Sequence, residues 1–300
     1  MYSQGEDRDN GRAPGAAGRI FLLTAMPEEA AALEGDLGCR TWTRAAGARF
    51  ALGSGCYSAV AVGVSGMGKV AAAIAAQYAC ARWRPWLLLM SGVAGAVRPG
   101  VRVGDLVAVS AAIQHDYDAR PFAATPSLIP HLGTTALDSD HLVSAIVAAA
   151  CERYLASAAG SQARDAGLRT DAGRVITGAA LTGDQVITAE PAKQKLACQY
   201  PSGACVDMET AAVAQVARQN GRAWAALRMI SDTADAVDAE AVFDYLTSSG
   251  ARALSSILRE TIDRILDGER SCHPARHDPA GRGHWAEFLP AGAESRHSGG

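Results

Sequence analysis

From about residue 19 to residue 267, short apolar runs alternate with longer stretches of mixed polarity. IFLLTA (20–25), AVAVGV (59–64), WLLLMSG (86–92), DLVAVSAAI (105–113) and AWAALRMIS (223–231) have the length of strands. Several are apolar at every position, which central strands covered on both faces require. Between them, segments 27–37, 68–83, 139–157, 189–198, 208–219 and 240–267 read as helices. In 208–219, Met208, Ala211, Ala212 and Val216 recur at helical spacing. Strand–helix alternation of this kind predicts an α/β layer fold with a mostly parallel sheet, and ligands in such sheets bind where strands run out into loops.

The flanks break the pattern. Residues 1–18 are rich in Gly, Asp, Arg and Ala, and residues 268–300 carry Gly, Pro, Arg and four of the seven histidines. Both are expected to be disordered, leaving one domain over 19–267. Cys272, His273 and His277 are too few and too solvated to be expected to hold a metal.

Composition narrows the function classes. The 300 residues are 49% hydrophobic and 20% charged, ample for a core. A net charge of −3 without basic clusters argues against a nucleic-acid partner. Seven scattered cysteines form no C-x-x-C pair, which favours a reducing compartment. There is no run of 18 apolar residues and no signal-peptide core, so a cytoplasmic protein without membrane contact is expected. Only Lys69, Lys193 and Lys195 are lysines; abundant alanine fits core and surface alike and blurs periodicity.

Acids placed beside apolar runs carry the chemistry. Glu28 and Glu29 follow IFLLTA, Glu209 lies in CVDMETAAVA, and Asp232 closes RMISD. A carboxylate beside a core must be paired, hydrogen-bonded or protonated. Three such places point to acid–base work on a small polar substrate. Asp207 and Glu209 read as the start of a helix, where capping is the plain alternative; a carboxylate there can also accept both hydroxyls of a vicinal diol. Ser231 or Asp232 can equally be an N-cap.

Other motifs fit less. SGMGKVAAA (65–73) mimics a dinucleotide fingerprint, but the next strand lacks the ribose-binding acid. It mimics a Walker A loop, but Val70 stands where Ser or Thr must bind magnesium. A tight glycine turn explains it without either cofactor. Asp105 reads as a turn acid, and Asp184 as a cap or loop anchor. HDYD (115–118) has one histidine, too few for a metal site. No metal and no cofactor are expected.

The segments AMPEEAAAL (25–33), VSGMGKVAAA (64–73), SGVAGA (91–96), VGDLV (103–107), HDYDARPF (115–122), TGDQVI (182–187), VDMETAAVA (206–214) and RMISDTAD (228–235) together resemble the purine nucleoside phosphorylase / uridine phosphorylase superfamily. The likeness is greatest to its hydrolase branch, the 5′-methylthioadenosine/S-adenosylhomocysteine nucleosidases. The resemblance implies a three-layer α/β/α fold around a mixed, partly barrel-like sheet, and a homodimer. It implies Glu29 as the base that activates water and Asp232 as the acid that protonates the leaving purine. Glu209 would grip the ribose hydroxyls, with Met208 under the sugar and Met26 also against the substrate. Arg228 would help place the water, and Ser231 would orient Asp232. Val186 and Ile187 would read the base, and Phe122 would reach a neighbouring subunit's pocket. The nucleosidases carry an aromatic where Val186 stands and a serine, which helps bind water, where Val93 stands. The stretch 123–175 is longer than in the compact nucleosidases.

The implied reaction suits these residues. Splitting a ribosyl–base bond passes through an oxocarbenium-like state, with a proton for the leaving base and a base for the nucleophile. Phosphate as nucleophile is the main alternative. The first strand here runs into MPEEA, whose acids would repel a phosphate dianion. A binding protein on the same fold, without catalysis, is the other alternative, motivated by Val93.

Overall fold

In the computed structural model, residues 20–157, 173–232 and 250–271 are described, with the side chains of Asp232 and residues 269–271 outside that description. Of the flanks expected to be disordered, 1–18 and 268–300, all but residues 268–271, which are helical, lie outside it, as does the stretch 240–249 expected as helix.

The apolar runs form strands where expected. β1 is Ile20–Thr24, β4 Val60–Val64, β5 Leu87–Ala96, β6 Leu106–Gln114 and β10 Ala223–Asp232. Strands unforeseen from the sequence are the hairpin β2 (Trp42–Ala45) and β3 (Ala48–Leu52), the short β7 (Leu137–Asp138), β8 (Val175–Thr182) and β9 (Gly203–Asp207). The helices are α1 (Pro27–Asp36), α2 (Lys69–Trp83), α3 (His141–Ala156), α4 (Glu190–Gln199), α5 (Thr210–Gln219) and α6 (Ala251–Ser271). One expectation needs correction: Asp207 ends a strand and Glu209 is the N-cap of α5, so the helix begins after both acids.

The sheet is mixed and partly closed. β10 pairs parallel with β5 and antiparallel with β6; β6 runs parallel to β8, β8 parallel to β9, and β9 antiparallel to β5. These five strands close a ring. From β5 the sheet continues outward through β1, β4, β3 and β2. β5 therefore belongs to both the barrel and the open sheet.

Side-chain alternation assigns the two helical layers. Phe21, Leu23, Leu88 and Met90 face α2 and α5, whereas Ile20, Leu22, Leu87 and Leu89 face α1, α3 and α6. On α2, Ala72, Ala75, Ala76, Ala79 and Cys80 make the buried stripe. Small side chains let this helix approach the sheet and α5 closely, so its alanines mark a core face that hydropathy alone does not single out. The end of α2 is held by a ring cluster: Trp83 stacks edge-on against Phe50 at 5.4 Å and Tyr78 at 5.9 Å between centroids. Each fully buried aromatic or leucine contributes about 2 kcal/mol from water exclusion. Among the described residues no helix is long and apolar enough to cross a membrane.

Asp105, expected as a turn acid, is a buried one (3% exposed). Its carboxylate accepts from the Arg102 and Arg174 amides, each at 3.0 Å, and pairs with the Arg174 guanidinium at 3.1 Å. It thus fastens the entry of β6 to the entry of β8. Replacing it with alanine removes the acceptor of two amides and the partner of a guanidinium, so Asp105→Ala should lower the unfolding free energy by about 2 kcal/mol in a urea titration.

Candidate active site

The ends of β1 and β9 and the middle of β10 bring four charged side chains, Glu29, Asp207, Glu209 and Arg228, to one place beside the backbone of β5. At β1 the chain turns through Ala25 and Met26 into α1, with Pro27 at the first helical position, where its missing N–H costs nothing. Two residues on, Glu29 folds back. Its Oε2 accepts from the amides of Ala25 at 2.9 Å and Met26 at 3.0 Å, and its Oε1 accepts from Val93 N at 3.1 Å. Glu29 is 2% exposed, while Glu28 is half-buried. Burial raises the Glu29 pKa against the opposing pull of Arg228 and the three amides.

Arg228, on β10, is 1% exposed. Its Nη2 lies 2.7 Å from Asp207 Oδ2 and 3.5 Å from Glu209 Oε2. Nε and Nη2 donate to Thr210 Oγ1 at 3.0 and 2.8 Å, and Nη1 to the Val93 carbonyl at 3.4 Å. Asp207 is completed by hydroxyl donors: Thr182 Oγ1 at 2.5 Å and Thr210 Oγ1. The Ala211 amide in turn donates to Thr182 Oγ1 at 2.9 Å, tying the end of β8 to the start of α5.

Glu209 is 5% exposed and accepts the Gly68 amide at 2.9 Å on Oε1. Three acids thus converge on one guanidinium, and its closest partner is Asp207. The remaining attraction is too small to offset dehydration of Glu209. Burial, opposed by Arg228 and reinforced by Asp207, pushes its pKa up to about 7.

Gly92 makes this convergence possible. It pairs with Arg228 across β5–β10, and a Cβ there would lie 2.5 Å from Glu29 Oε1 and 2.6 Å from Arg228 Nη1. Both charged groups occupy the space above a bare backbone.

Of the residues singled out in the sequence, Glu29, Glu209, Arg228 and Val93 meet here. Met26 and Met208, both half-buried, flank Glu29 and Glu209 in the chain. Ser231 and Asp232 close β10, four residues or fewer beyond Arg228; the Asp232 side chain lies outside the described residues. Val186 is exposed and Ile187 half-buried in the loop after β8, and Phe122 is 92% exposed. Sequence reasoning did not single out Asp207, Thr210, Thr182 or Gly92 as parts of one network. The available signal was the pair of threonines beside acids in TGDQVI and VDMET. In HDYD, Asp116 takes the Lys69 ammonium at 2.6 Å and Asp118 pairs with Arg120 at 2.5 Å.

The model of one family, the phosphorylase superfamily, matches residues 19–263. A 5′-methylthioadenosine/S-adenosylhomocysteine nucleosidase from Geobacillus kaustophilus (strain HTA426) is 29% identical over 241 residues, covering 80% of this chain and 95% of that protein. Among solved structures, a nucleosidase of the same name from Colwellia psychrerythraea 34H, in complex with adenine, is 27% identical. It superposes with a TM-score of 0.67 over 81% of this chain and 94% of its own. Futalosine hydrolase of Helicobacter pylori strain 26695 has the same fold, at 24% identity and TM-score 0.67, over 81% of this chain and 97% of its own.

Two outcomes follow. Gly92→Ala should cost about 2–4 kcal/mol of unfolding free energy, measured in urea, because neither neighbour is a free-swinging surface group. The raised acids set a pH dependence. Glu209 keeps its proton in the fold up to about pH 7, whereas the unfolded chain loses it near 4.5. The native state then binds more protons, so stability falls as pH rises between those values, by at most about 1.4 kcal/mol per pH unit for one group. The melting temperature of the ligand-free protein should drop from pH 5 to pH 8, and Glu209→Gln should flatten that drop.

Proposed function

We propose that this chain, which belongs to the phosphorylase superfamily, is a purine nucleosidase that uses water to split the N-glycosidic bond of an adenosine-type nucleoside. The substrate class is 5′-methylthioadenosine, S-adenosylhomocysteine, 5′-deoxyadenosine or a specialised relative, and the products are the free base and the ribose derivative. The nucleosidase names of the relatives support the reaction class.

The observation that carries the choice of water over phosphate is the immobilised Glu29. Phosphate would have to enter beside a buried carboxyl held by three amides and beside Glu209, and the guanidinium between them is already paired with Asp207. A water has no such penalty. Glu29 Oε1 accepts one amide where Oε2 accepts two, leaving Oε1 the freer oxygen to take a proton from water. A pKa lifted from the ordinary carboxylate value brings the base nearer to working pH, which strengthens it.

The steps balance with these groups. The C1′–N bond breaks as Asp232 gives its proton to the purine, leaving an oxocarbenium-like sugar. Water adds its oxygen to C1′ and its proton to Glu29. Glu209, as carboxylate, accepts the two ribose hydroxyls and places negative charge near the cationic ring. Arg228 keeps Glu209 in place and lies beside the Val93 carbonyl. Met26 and Met208 pack against the sugar and its 5′ substituent, while Val186 and Ile187 read the base with less stacking area than an aromatic gives.

A homodimer belongs to the same reading. Met67, just before α2, and Val70 and Ile74 in its first two turns are 67%, 69% and 47% exposed. In this reading a second copy covers these residues, and Phe122, 92% exposed, reaches the partner's pocket. A cytoplasmic location fits the unpaired thiols of the described cysteines.

The deciding assay incubates the protein with a panel of purine nucleosides, with and without phosphate, and identifies both products. Free base and free sugar at a phosphate-independent rate are expected; a sugar 1-phosphate would replace this reading with phosphorolysis. Glu29→Gln and Asp232→Asn should each lower kcat by at least about 100-fold, and either one keeping normal turnover removes the role given to that residue. Light scattering should give twice the chain mass.

A further inference from the structure

We propose that Lys69 is a positioning residue: it fixes the loop 183–187, and with it the base pocket, against the start of α2. The proposal rests on the function given above for its reference to a base.

Two successive amides at the head of α2 face two different acids. Gly68 N donates to Glu209 Oε1 at 2.9 Å, and Lys69 N donates to Asp184 Oδ1 at 2.9 Å. Gly68 sits at φ +97, which L side chains rarely adopt, and this bend lets neighbouring amides serve the diol-binding acid on one side and the loop acid on the other. The Lys69 ammonium then closes a ring. It donates to Asp116 Oδ1 at 2.6 Å and stands 3.7 Å from Asp184 Oδ2, while the Asp184 amide donates to Asp116 Oδ2 at 2.9 Å. Helix α2, the end of β6 and the loop after β8 are thereby joined through one cation.

The strand side of the clasp has no slack. Gly183 donates its amide to the Asp207 carbonyl at 3.0 Å, and a Cβ at Gly183 would collide with the His115 ring. Val186 and Ile187 follow Asp184 by two and three residues, so the packed glycine and the clasp at Asp184 together set where they leave β8. Without the ammonium, Asp116 and Asp184 face each other as like charges, and the loop is the part free to move. The pairs are partly exposed, with side chains 17%, 25% and 49% accessible for Lys69, Asp116 and Asp184. Such pairs add little to global stability. Their effect is on where the loop sits.

The test uses the full-length protein and Lys69→Met, with Lys69→Arg as rescue. Lys69→Met should weaken adenine binding, by calorimetry, and raise KM for the nucleoside by roughly tenfold each, with kcat within about twofold. The melting temperature should move by only a few degrees, and Lys69→Arg should restore most of the affinity. Independently of turnover, hydrogen exchange at amides 183–187 should quicken in Lys69→Met and slow again in Lys69→Arg. Unchanged exchange in that loop overturns the proposal, as does a fall in kcat with adenine affinity and KM intact. If the wild-type protein cleaved no purine nucleoside while the exchange contrast held, the assigned activity would fall and the clasp would stand.

Discussion

Everything at the candidate site is arranged around a guanidinium with almost no access to water. Dehydrating Arg228 is costly, and that cost is offset only if an anion meets it at close range with its remaining lone pairs satisfied. Asp207 does this at 2.7 Å, with Thr182 and Thr210 filling its other positions. Once this pair is made, the cation has little left for Glu209 and Glu29. Those two acids stay buried with elevated pKa values, the state in which a carboxyl can exchange protons near neutrality.

The backbone supplies what the charges need. Glu29 is held by amides from the turn after β1 and from within β5, and the glycine beneath it keeps the space clear. Neither contribution involves a reactive side chain, yet both set where the reactive ones sit. The same economy recurs at α2, whose first two amides each hold an acid.

Much of this was legible in the residues. Strands β1, β4, β5, β6 and β10 announced themselves because apolar residues on both faces leave no other placement, and the phosphorylase-superfamily likeness was legible in eight ordered segments. β8 and β9, VITGAALT and GACVD, are rich in Gly, Ala and Thr and carry little hydropathic contrast. The β2–β3 hairpin is short and half exposed. An acid directly before a helical stripe, as Asp207 is before Met208, reads as a helix-start acid; only the ladder with β8 shows it ending a strand. Gly92 could not be read as a spacer, since the two groups it separates come from residues 63 positions before and 136 after it.

Closure of the five-stranded ring has a further consequence for behaviour in a crowded solution. A sheet of this size would ordinarily present long unpaired margins, templates for joining other chains edge to edge. Here β10 bonds to neighbours on both sides, and the free margins among the described residues shrink to β2, four residues long, and β7, two. On that β2 margin stands Arg44, opposite Arg49, whose guanidinium also covers the Trp42 ring at 5.0 Å. Among the described residues, the longer of the two margins open to fibril-like growth is thus guarded by positive charge.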